Sequence, residues 1–249
     1  MRVAVLDDIH GNLPALDAAL ADIRRAGVDR IVVGGDVLPG PMPRETLDRL
    51  LSLDVPVDCL YGNGEVAILE ALSGRVSTFV PETYRPMIRW NADQLTSSQR
   101  EELKGWPMTV RLTIPPLGEV LFCHATPRDW NECFVRTTPE EKLWPIFDAA
   151  NAAVVVCGHT HMQFDRMVGK TRVVNAGSVG IPFGRTGVDW LLLGPEVDLR
   201  HIAYDMNAAV ERFRETTCPL TEEFIVPAIL SPQSEEQMLQ IFSHAELAG

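Results

Sequence analysis

Short apolar runs and helically spaced apolar positions alternate along the first third of the chain. Residues 3–6 form an unbroken apolar run, which is typical of a strand covered on both faces. Leu13, Leu16 and Leu20 then recur at helical spacing, and Gly27 provides a stop signal. The same alternation predicts further strands at 31–33 and 55–60 and a helix at 43–51. This order of elements predicts an α/β fold with a parallel sheet and right-handed crossovers.

The segment 64–107 has a different pattern, because helical spacing continues there without a strand-like run. Thr96 and Gln99 form a capping box within it. Helices are predicted at 65–72, 81–95 and 97–104. We expect a helical insertion that either covers the functional site as a lid or packs against the core.

Strand patterns return in the second half of the chain, and helices close it. Thr138, Pro139 and Glu141 predict the start of a helix that runs through Ala150, with Thr138 as its N-cap. Strands are predicted at 108–114, 120–123, 153–156, 163–168, 171–175, 190–193 and 197–203, with hairpin turns at 169–170 and 194–195. With helices expected across 205–249, the pattern predicts a single domain spanning 1–249.

The composition is that of an ordinary globular protein with an acidic surface. The 249 residues are 46% apolar, and 22 basic against 34 acidic residues give a net charge of −12. Because no run of lysine or arginine stands out, we expect no surface for long nucleic acids. The five cysteines form no CxxC pair, and no apolar run is long enough to span a membrane or to act as a signal peptide. We therefore expect a cytoplasmic protein with reduced thiols and without a membrane partner.

Residues with metal-binding side chains follow the predicted strands in five short clusters. The clusters contain Asp8 and His10, Asp36, Asn63, His124, and His159 with His161. Since open α/β sheets place their ligands at the carboxyl ends of strands, we expect these side chains to meet. In an extended segment, residues two apart point the same way, so Asp8 and His10 could share one ion. Two carboxylates, a carboxamide and four imidazoles suit a pair of divalent ions such as manganese, iron, nickel, cobalt or zinc.

This set of clusters resembles the calcineurin-like metallophosphoesterase superfamily, and the likeness extends over most of the chain. The segments 124–129, 175–180 and 203–205 are similar to a bacterial subgroup of about this length. The resemblance implies two β-sheets packed face to face with helices on both outer sides, a four-layer αββα sandwich. It also implies one metal ion held by Asp8, His10 and His161, a second held by Asn63, His124 and His159, and Asp36 bridging both.

One position departs from the pattern of that superfamily. Many members have a histidine after the asparagine, which is thought to protonate the leaving group, whereas this chain has Gly64. General acid catalysis contributes roughly 10²–10⁴-fold, so its loss matters most for poor leaving groups. We therefore expect a metal-dependent phosphodiesterase rather than a phosphomonoesterase. It would act on a small or nucleotide-like phosphate ester, through a hydroxide held by two metal ions that Asp36 bridges.

Three other functions are open at this point. A protein or dinucleoside polyphosphate phosphatase would use the same ligands, while a non-catalytic scaffold of this fold would typically have lost them. A nuclease acting on long nucleic acids needs clustered lysine and arginine, which this chain lacks. The sequence leaves the natural substrate, the native metal pair and the oligomeric state open.

Two arginines and three tryptophans are candidates for substrate binding. Arg128 could clamp a phosphate oxygen, and Arg185 is a second candidate. The alternative for Arg128 is a surface ion pair with the adjacent aspartate or another acid. Trp90, Trp106 and Trp130 could stack a nucleobase, or they pack the helical insertion against the core.

Overall fold

The computed structural model describes residues 1–244 and 247, and ten strands of this part of the chain form two five-stranded sheets. The first sheet contains β1 (Val3–Leu6), β2 (Arg30–Val33), β3 (Val57–Cys59), β9 (Val188–Leu193) and β10 (Val197–Ile202). The second contains β4 (Thr109–Ile114), β5 (Gly118–Cys123), β6 (Val154–Cys157), β7 (Phe164–Val168) and β8 (Thr171–Asn175). Their strand orders are β10-β9-β1-β2-β3 and β4-β5-β6-β8-β7.

Parallel pairing brings the carboxyl ends of the central strands to one edge of the molecule. In the first sheet β1 pairs with β2 and β2 with β3, and in the second β5 pairs with β6 and β6 with β8, all in parallel. Antiparallel strands complete both sheets. The five polar clusters directly follow β1, β2, β3, β5 and β6. The topology therefore gathers them in one place.

Side-chain alternation along β1 explains how the first sheet is covered on both faces. Val3 and Val5 pack against the second sheet, whereas Ala4 and Leu6 pack in the core beneath the helices. Phe122 of β5 reaches the core between the sheets from the other side. Fully burying a side chain such as Phe122 contributes about 1.5–3 kcal/mol, so the core between the sheets contributes strongly to holding them together.

Helices cover both outer faces, which confirms the four-layer α/β sandwich expected from the resemblance. The first sheet is covered mainly by α1 (Leu13–Ala26), α2 (Pro43–Leu51), α7 (Met206–Arg214) and α8 (Val226–Leu230), and the second by α6 (Glu140–Asp148). The last described helix is α9 (Glu235–His244). In the described part of the chain, every helix is too short or too polar to cross a lipid bilayer.

Helices also occupy the segment 64–107. They are α3 (Asn63–Leu72), a 3₁₀ turn (Glu82–Tyr84), α4 (Arg85–Gln94) and α5 (Ser97–Gly105). The predicted capping box is present, with the Gln99 amide donating to Thr96 Oγ1 at 3.2 Å. The helix predicted over 81–95 is two elements, because Pro86 in the first turn of α4 begins a new helix.

Two further boundaries differ from the prediction for local reasons. β3 begins at Val57 rather than at residue 55, because Pro56 has no N–H for the ladder and only accepts a bond from the Ile31 amide at 2.9 Å. The prediction of Thr138 as the N-cap of α6 was wrong. Its Oγ1 accepts from the Val135 amide at 2.9 Å, and the helix begins after Pro139 without a side-chain cap.

The region 205–249, where helices are expected, begins with α7 and continues with a π-helical turn (Thr221–Ile225) that leads into α8. The turn and α8 both bury apolar residues against the first sheet's helices. Of the predicted segment 205–249, positions 245, 246, 248 and 249 lie outside the described residues.

Candidate metal centre

The backbone turns sharply at five of the seven predicted ligands. The φ angles are 55° at Asp8, 48° at both His10 and Asp36, 66° at His159 and 56° at His161, in the left-handed region that residues other than glycine seldom adopt. The stated reason for Asp8 and His10 to share an ion, an extended segment, was therefore wrong. The turns are held by other loops, as where the His10 amide donates to the Asp36 carbonyl at 3.0 Å. Strain of this kind is typical of functional sites.

Asp8, His10 and His161 form the first group of donor atoms. Asp8 Oδ1 lies 3.3 Å from His161 Nε2 and 3.9 Å from His10 Nε2, and these two nitrogens are 3.1 Å apart. The Nδ1 atoms bond to backbone carbonyls, that of His10 to Pro39 at 3.3 Å and that of His161 to Ile181 at 2.8 Å. Since a carbonyl only accepts, Nδ1 carries the proton and the Nε2 lone pairs face each other. Such a pair repels unless a cation binds both nitrogens.

A second group is formed by Asn63, His124 and His159. His124 donates its Nδ1–H to the Gly34 carbonyl at 2.9 Å, so its Nε2 lone pair points into the site. This nitrogen lies 3.0 Å from Asn63 Oδ1 and 3.2 Å from His159 Nδ1. The other ring nitrogen of His159 lies 3.2 Å from Cys133 Sγ. His124 Nε2 therefore lies within 3.2 Å of a donor atom of each of the other two residues, and it also forms a compact group of donor atoms with Asp8 and Asp36.

Asp36 lies between the two groups. Its Oδ2 is 3.8 Å from His10 Nε2, and its Oδ1 is 3.5 Å from His124 Nε2. The same Oδ1 accepts a hydrogen bond from the Gly64 amide at 2.6 Å. This placement is the one expected of a carboxylate that bridges two ions.

An unpaired oxygen indicates that the site fits cations. Asp8 Oδ1 is buried and has no hydrogen-bond partner among the described residues, which is costly for a carboxylate. It faces Nε2 atoms of His10, His124 and His161, all within 4.0 Å. Burial lowers the pKa of His10 to about 4 and that of His124 to about 3, so these rings are neutral and offer lone pairs. The donor set is therefore suited to divalent metal ions.

Glu65 was not predicted as a site residue, yet it holds the backbone of two ligand loops. Its Oε2 accepts from the amides of Asp36 and Gly62, both at 2.8 Å, and its Oε1 accepts from the Leu38 amide at 3.0 Å. Burial and the Asp36 carboxylate raise the pKa of Glu65 to about 8. The sequence did hold one signal for Glu65, its place at the third position of α3, where a glutamate commonly caps the start of a helix.

The segment 175–180 bonds to the loops that carry the candidate ligands. Asn175 Nδ2 donates to the Gly158 carbonyl at 2.6 Å and to Thr160 Oγ1 at 3.1 Å, in the last cluster. Ser178 Oγ donates to the Asp8 carbonyl at 2.8 Å. The segment singled out by the resemblance therefore fixes the backbone of two ligand clusters.

A third aspartate, Asp7, lies buried beside the candidate ligands. It is 1% exposed, and neither of its oxygens has a hydrogen-bond partner among the described residues. Gly34 makes the room, since a Cβ there would lie 1.4 Å from Asp7 Oδ1. Burial and the charges of Asp8 and Asp36 raise the pKa of Asp7 well above its usual value. Nothing in the sequence pattern singled out this residue.

A cavity of about 560 Å³ opens over the candidate metal centre. The candidate ligands that line it are His10, Asp36, Asn63, His159 and His161. Its walls come from the helical insertion, the loop after β8 and the C-terminal helices. The volume is in the range of sites for small organic molecules.

Gly64 has no room for a side chain. A Cβ at this position would lie 1.9 Å from the Leu38 carbonyl oxygen and 2.9 Å from Asp36 Oδ1. The position that many superfamily members fill with histidine is therefore closed by the neighbouring loop. Among the described cavity-lining residues, Tyr84 is the one titratable side chain outside the ligand set.

The two arginines predicted to contact substrate do not line the cavity. Arg128 forms an ion pair with Glu132 at 2.5 Å, and Arg185 forms one with Asp189 at 2.7 Å. The ion-pair alternative thus describes Arg128 in this structure. A phosphate contact by Arg128 or Arg185 stays a prediction.

The three tryptophans are also absent from the cavity lining. Trp106 is buried in the core, and Trp90 donates its Nε1–H to Thr217 Oγ1 at 3.1 Å. Trp130 packs edge-on against Phe79, with ring centroids 5.0 Å apart. In this structure they pack against protein.

Comparisons with known proteins agree with this geometry. Residues 1–194 match the Calcineurin-like phosphoesterase superfamily domain. An uncharacterized protein of Methanocaldococcus jannaschii is 26% identical over 247 residues, covering 87% of this chain and 93% of that protein. A hypothetical protein from Pyrococcus horikoshii has a similar fold, with a TM-score of 0.81 at 20% identity over 94% of this chain and 99% of the other. A metallophosphoesterase from Sphaerobacter thermophilus gives 0.74 at 24% identity over 93% and 100%. The chain belongs to the calcineurin-like phosphoesterase superfamily.

Proposed function

We propose that this protein is a phosphodiesterase that uses two divalent metal ions. The observation that carries the proposal is a set of acceptor atoms that face one another without a donor. Asp8 Oδ1 has no hydrogen-bond partner in the part of the chain that the structure describes, and the Nε2 atoms of His10 and His161 lie 3.1 Å apart. Divalent ions bound there would activate a water molecule as nucleophile and neutralise charge on the phosphate.

Each ion would have its own protein ligands. Asp8, His10 and His161 would hold one ion, Asn63, His124 and His159 the other, and Asp36 would contact both. His10, His124 and His161 each donate the Nδ1 proton to a backbone carbonyl. This keeps Nε2 unprotonated, as metal binding through that nitrogen requires. Manganese, iron, nickel, cobalt and zinc all suit these ligands.

The charge and shape of the site favour a diester over a monoester. A diester carries one negative charge and a monoester close to two at neutral pH. No lysine or arginine lines the described part of the cavity to balance the additional charge. Gly64 cannot carry a general acid, so a leaving group that departs without a proton, such as a phenolate, would react fastest.

We also expect this enzyme to work in the cytoplasm on a small ester. All five cysteines are free thiols, which suits a reducing compartment. The acidic surface, with its net charge of −12, suits a small substrate better than a long nucleic acid.

Hydrolysis of bis-p-nitrophenyl phosphate and p-nitrophenyl phosphate, without added metal and with manganese, iron, nickel, cobalt or zinc added in turn, tests the proposal. We expect manganese-dependent release of p-nitrophenolate, faster from the diester, that a chelator abolishes and added manganese restores. Turnover with none of the five metals would favour a non-catalytic scaffold. A preference for the monoester would overturn the assignment of substrate class.

A further inference from the structure

Apolar side chains form most of the wall of the cavity over the metal centre. Phe79, Met87 and Ile88 come from the helical insertion, Phe183 follows β8, and Phe224 and Phe242 come from the C-terminal helices. This apolar wall was not needed for the proposed hydrolysis, which the metal ligands alone could support. It therefore points to a property of the substrate.

The apolar wall begins directly at a metal ligand. The Phe183 ring stacks on the His161 ring, with centroids 5.0 Å apart and an interplanar angle of 16°. Phe242 of α9 follows at 6.3 Å from Phe183. An organic group attached to a phosphate at the metal centre would thus contact apolar surface from its first atoms onward.

The same wall offers few partners to a polar or charged group. No lysine or arginine lies among the described lining residues, so a second phosphate would find no counter-charge. Asn12 is already engaged, since its Oδ1 accepts from the Ala15 amide and its Nδ2 donates to the Gly180 carbonyl. Outside the candidate ligand set, this leaves Asn131 and the Tyr84 hydroxyl as the polar side chains among the described lining residues. A nucleobase could stack on the phenylalanines, but its polar edge and the sugar hydroxyls would lose water without gaining enough partners.

We propose that the substrate is a phosphodiester with an uncharged, apolar alkyl or aryl group, which this cavity accepts. The inference rests on the proposed phosphodiesterase function and narrows it. Each methylene group that moves from water into such a cavity strengthens binding roughly fourfold. The chain length of the ester should therefore control kcat/KM.

A series of p-nitrophenyl esters of methyl, butyl and hexyl phosphate, with the manganese-loaded protein, measures this dependence. We expect kcat/KM to rise about two- to fourfold per methylene, and the hexyl ester to exceed thymidine 5′-(p-nitrophenyl phosphate). Equal or falling values along the series, or a preference for the thymidine ester, would overturn the apolar substrate but leave the phosphodiesterase standing. No turnover of any ester, the methyl ester included, would overturn both.

Variants in the wall connect the chain-length dependence to this cavity. Phe242→Ala is expected to lower the hexyl-to-methyl ratio of kcat/KM by about tenfold, and Phe242→Leu by less. Ile241→Ala, at a lining residue that is 53% exposed, provides a second variant that disturbs folding little. Trp144→Ala is the matched control, because Trp144 lies on α6, is 56% exposed and does not line the cavity. An unchanged ratio in both the Phe242→Ala and Ile241→Ala proteins would overturn the proposal.

Discussion

Replacing Glu65 with glutamine tests how the loops of the metal centre are held together. The carboxyl group accepts hydrogen bonds from three buried amides, those of Asp36, Leu38 and Gly62, at 2.8–3.0 Å. It can satisfy all three whether or not it carries a proton, because Oε2 offers two lone pairs to the Asp36 and Gly62 amides and Oε1 keeps one for the Leu38 amide even when it is protonated. A glutamine oxygen can accept from two of them, and its amino group faces the third as a second donor.

The expected cost follows from one unsatisfied buried donor. Such a donor costs about 1–3 kcal/mol, which for a chain of this length lowers Tm by about 2–12 °C. Because the affected loops carry Asp36 and Asn63, the manganese affinity should also fall about 10–100-fold.

Thermal unfolding in chelator and calorimetric titration with manganese measure both effects. Glu101→Gln is the matched control, since the Glu101 side chain is 72% exposed and its loss should change stability by less than about 0.5 kcal/mol. A Glu65→Gln protein that melts and binds manganese like the wild type would refute the reasoning.

Further variants and metal removal test other parts of the centre. Asp36→Asn is expected to lower kcat on the diester by about 10³-fold or more with an unchanged circular dichroism spectrum; a fully active, metal-loaded variant would refute the bridging role. Gly64→Ala is expected to destabilise the protein by about 1–3 kcal/mol in chemical denaturation, because its Cβ would lie 1.9 Å from the Leu38 oxygen. Arg128→Ala is expected to change KM less than about threefold, since Arg128 is paired with Glu132 and is 56% exposed; a larger rise would support the phosphate contact. Chelation should lower Tm by about 5–10 °C relative to protein saturated with manganese, since ions that bind the folded chain stabilise it.

That the candidate ligands lie together could be predicted from sequence because of a simple property of parallel sheets. Asp8, Asp36 and Asn63 each follow an apolar run, and parallel strands carry the residues after them to a common edge. The resemblance alone predicted that Asp36 is the carboxylate between the two groups. The left-handed backbone at Asp8 and His10 could not be predicted, because hydrogen bonds to distant loops impose it.

The cavity and its supporting residues were beyond the reach of sequence patterns. Phe79, Phe183 and Phe242 come from three segments far apart in the chain, and each alone has the pattern of an ordinary core residue. Glu65 had only the general signal of a helix-capping glutamate, and Asp7 had none. Their roles become visible through burial, which depends on how the loops after β2 and β3 and the glycines beside them pack.

Anomalous diffraction from manganese-soaked crystals tests the central claim most directly. The account predicts two peaks roughly 3.5–4 Å apart on either side of Asp36. One peak should lie within bonding distance of Asp8, His10 and His161, and the other of Asn63, His124 and His159. A single peak, or the absence of any peak between these side chains, would contradict it.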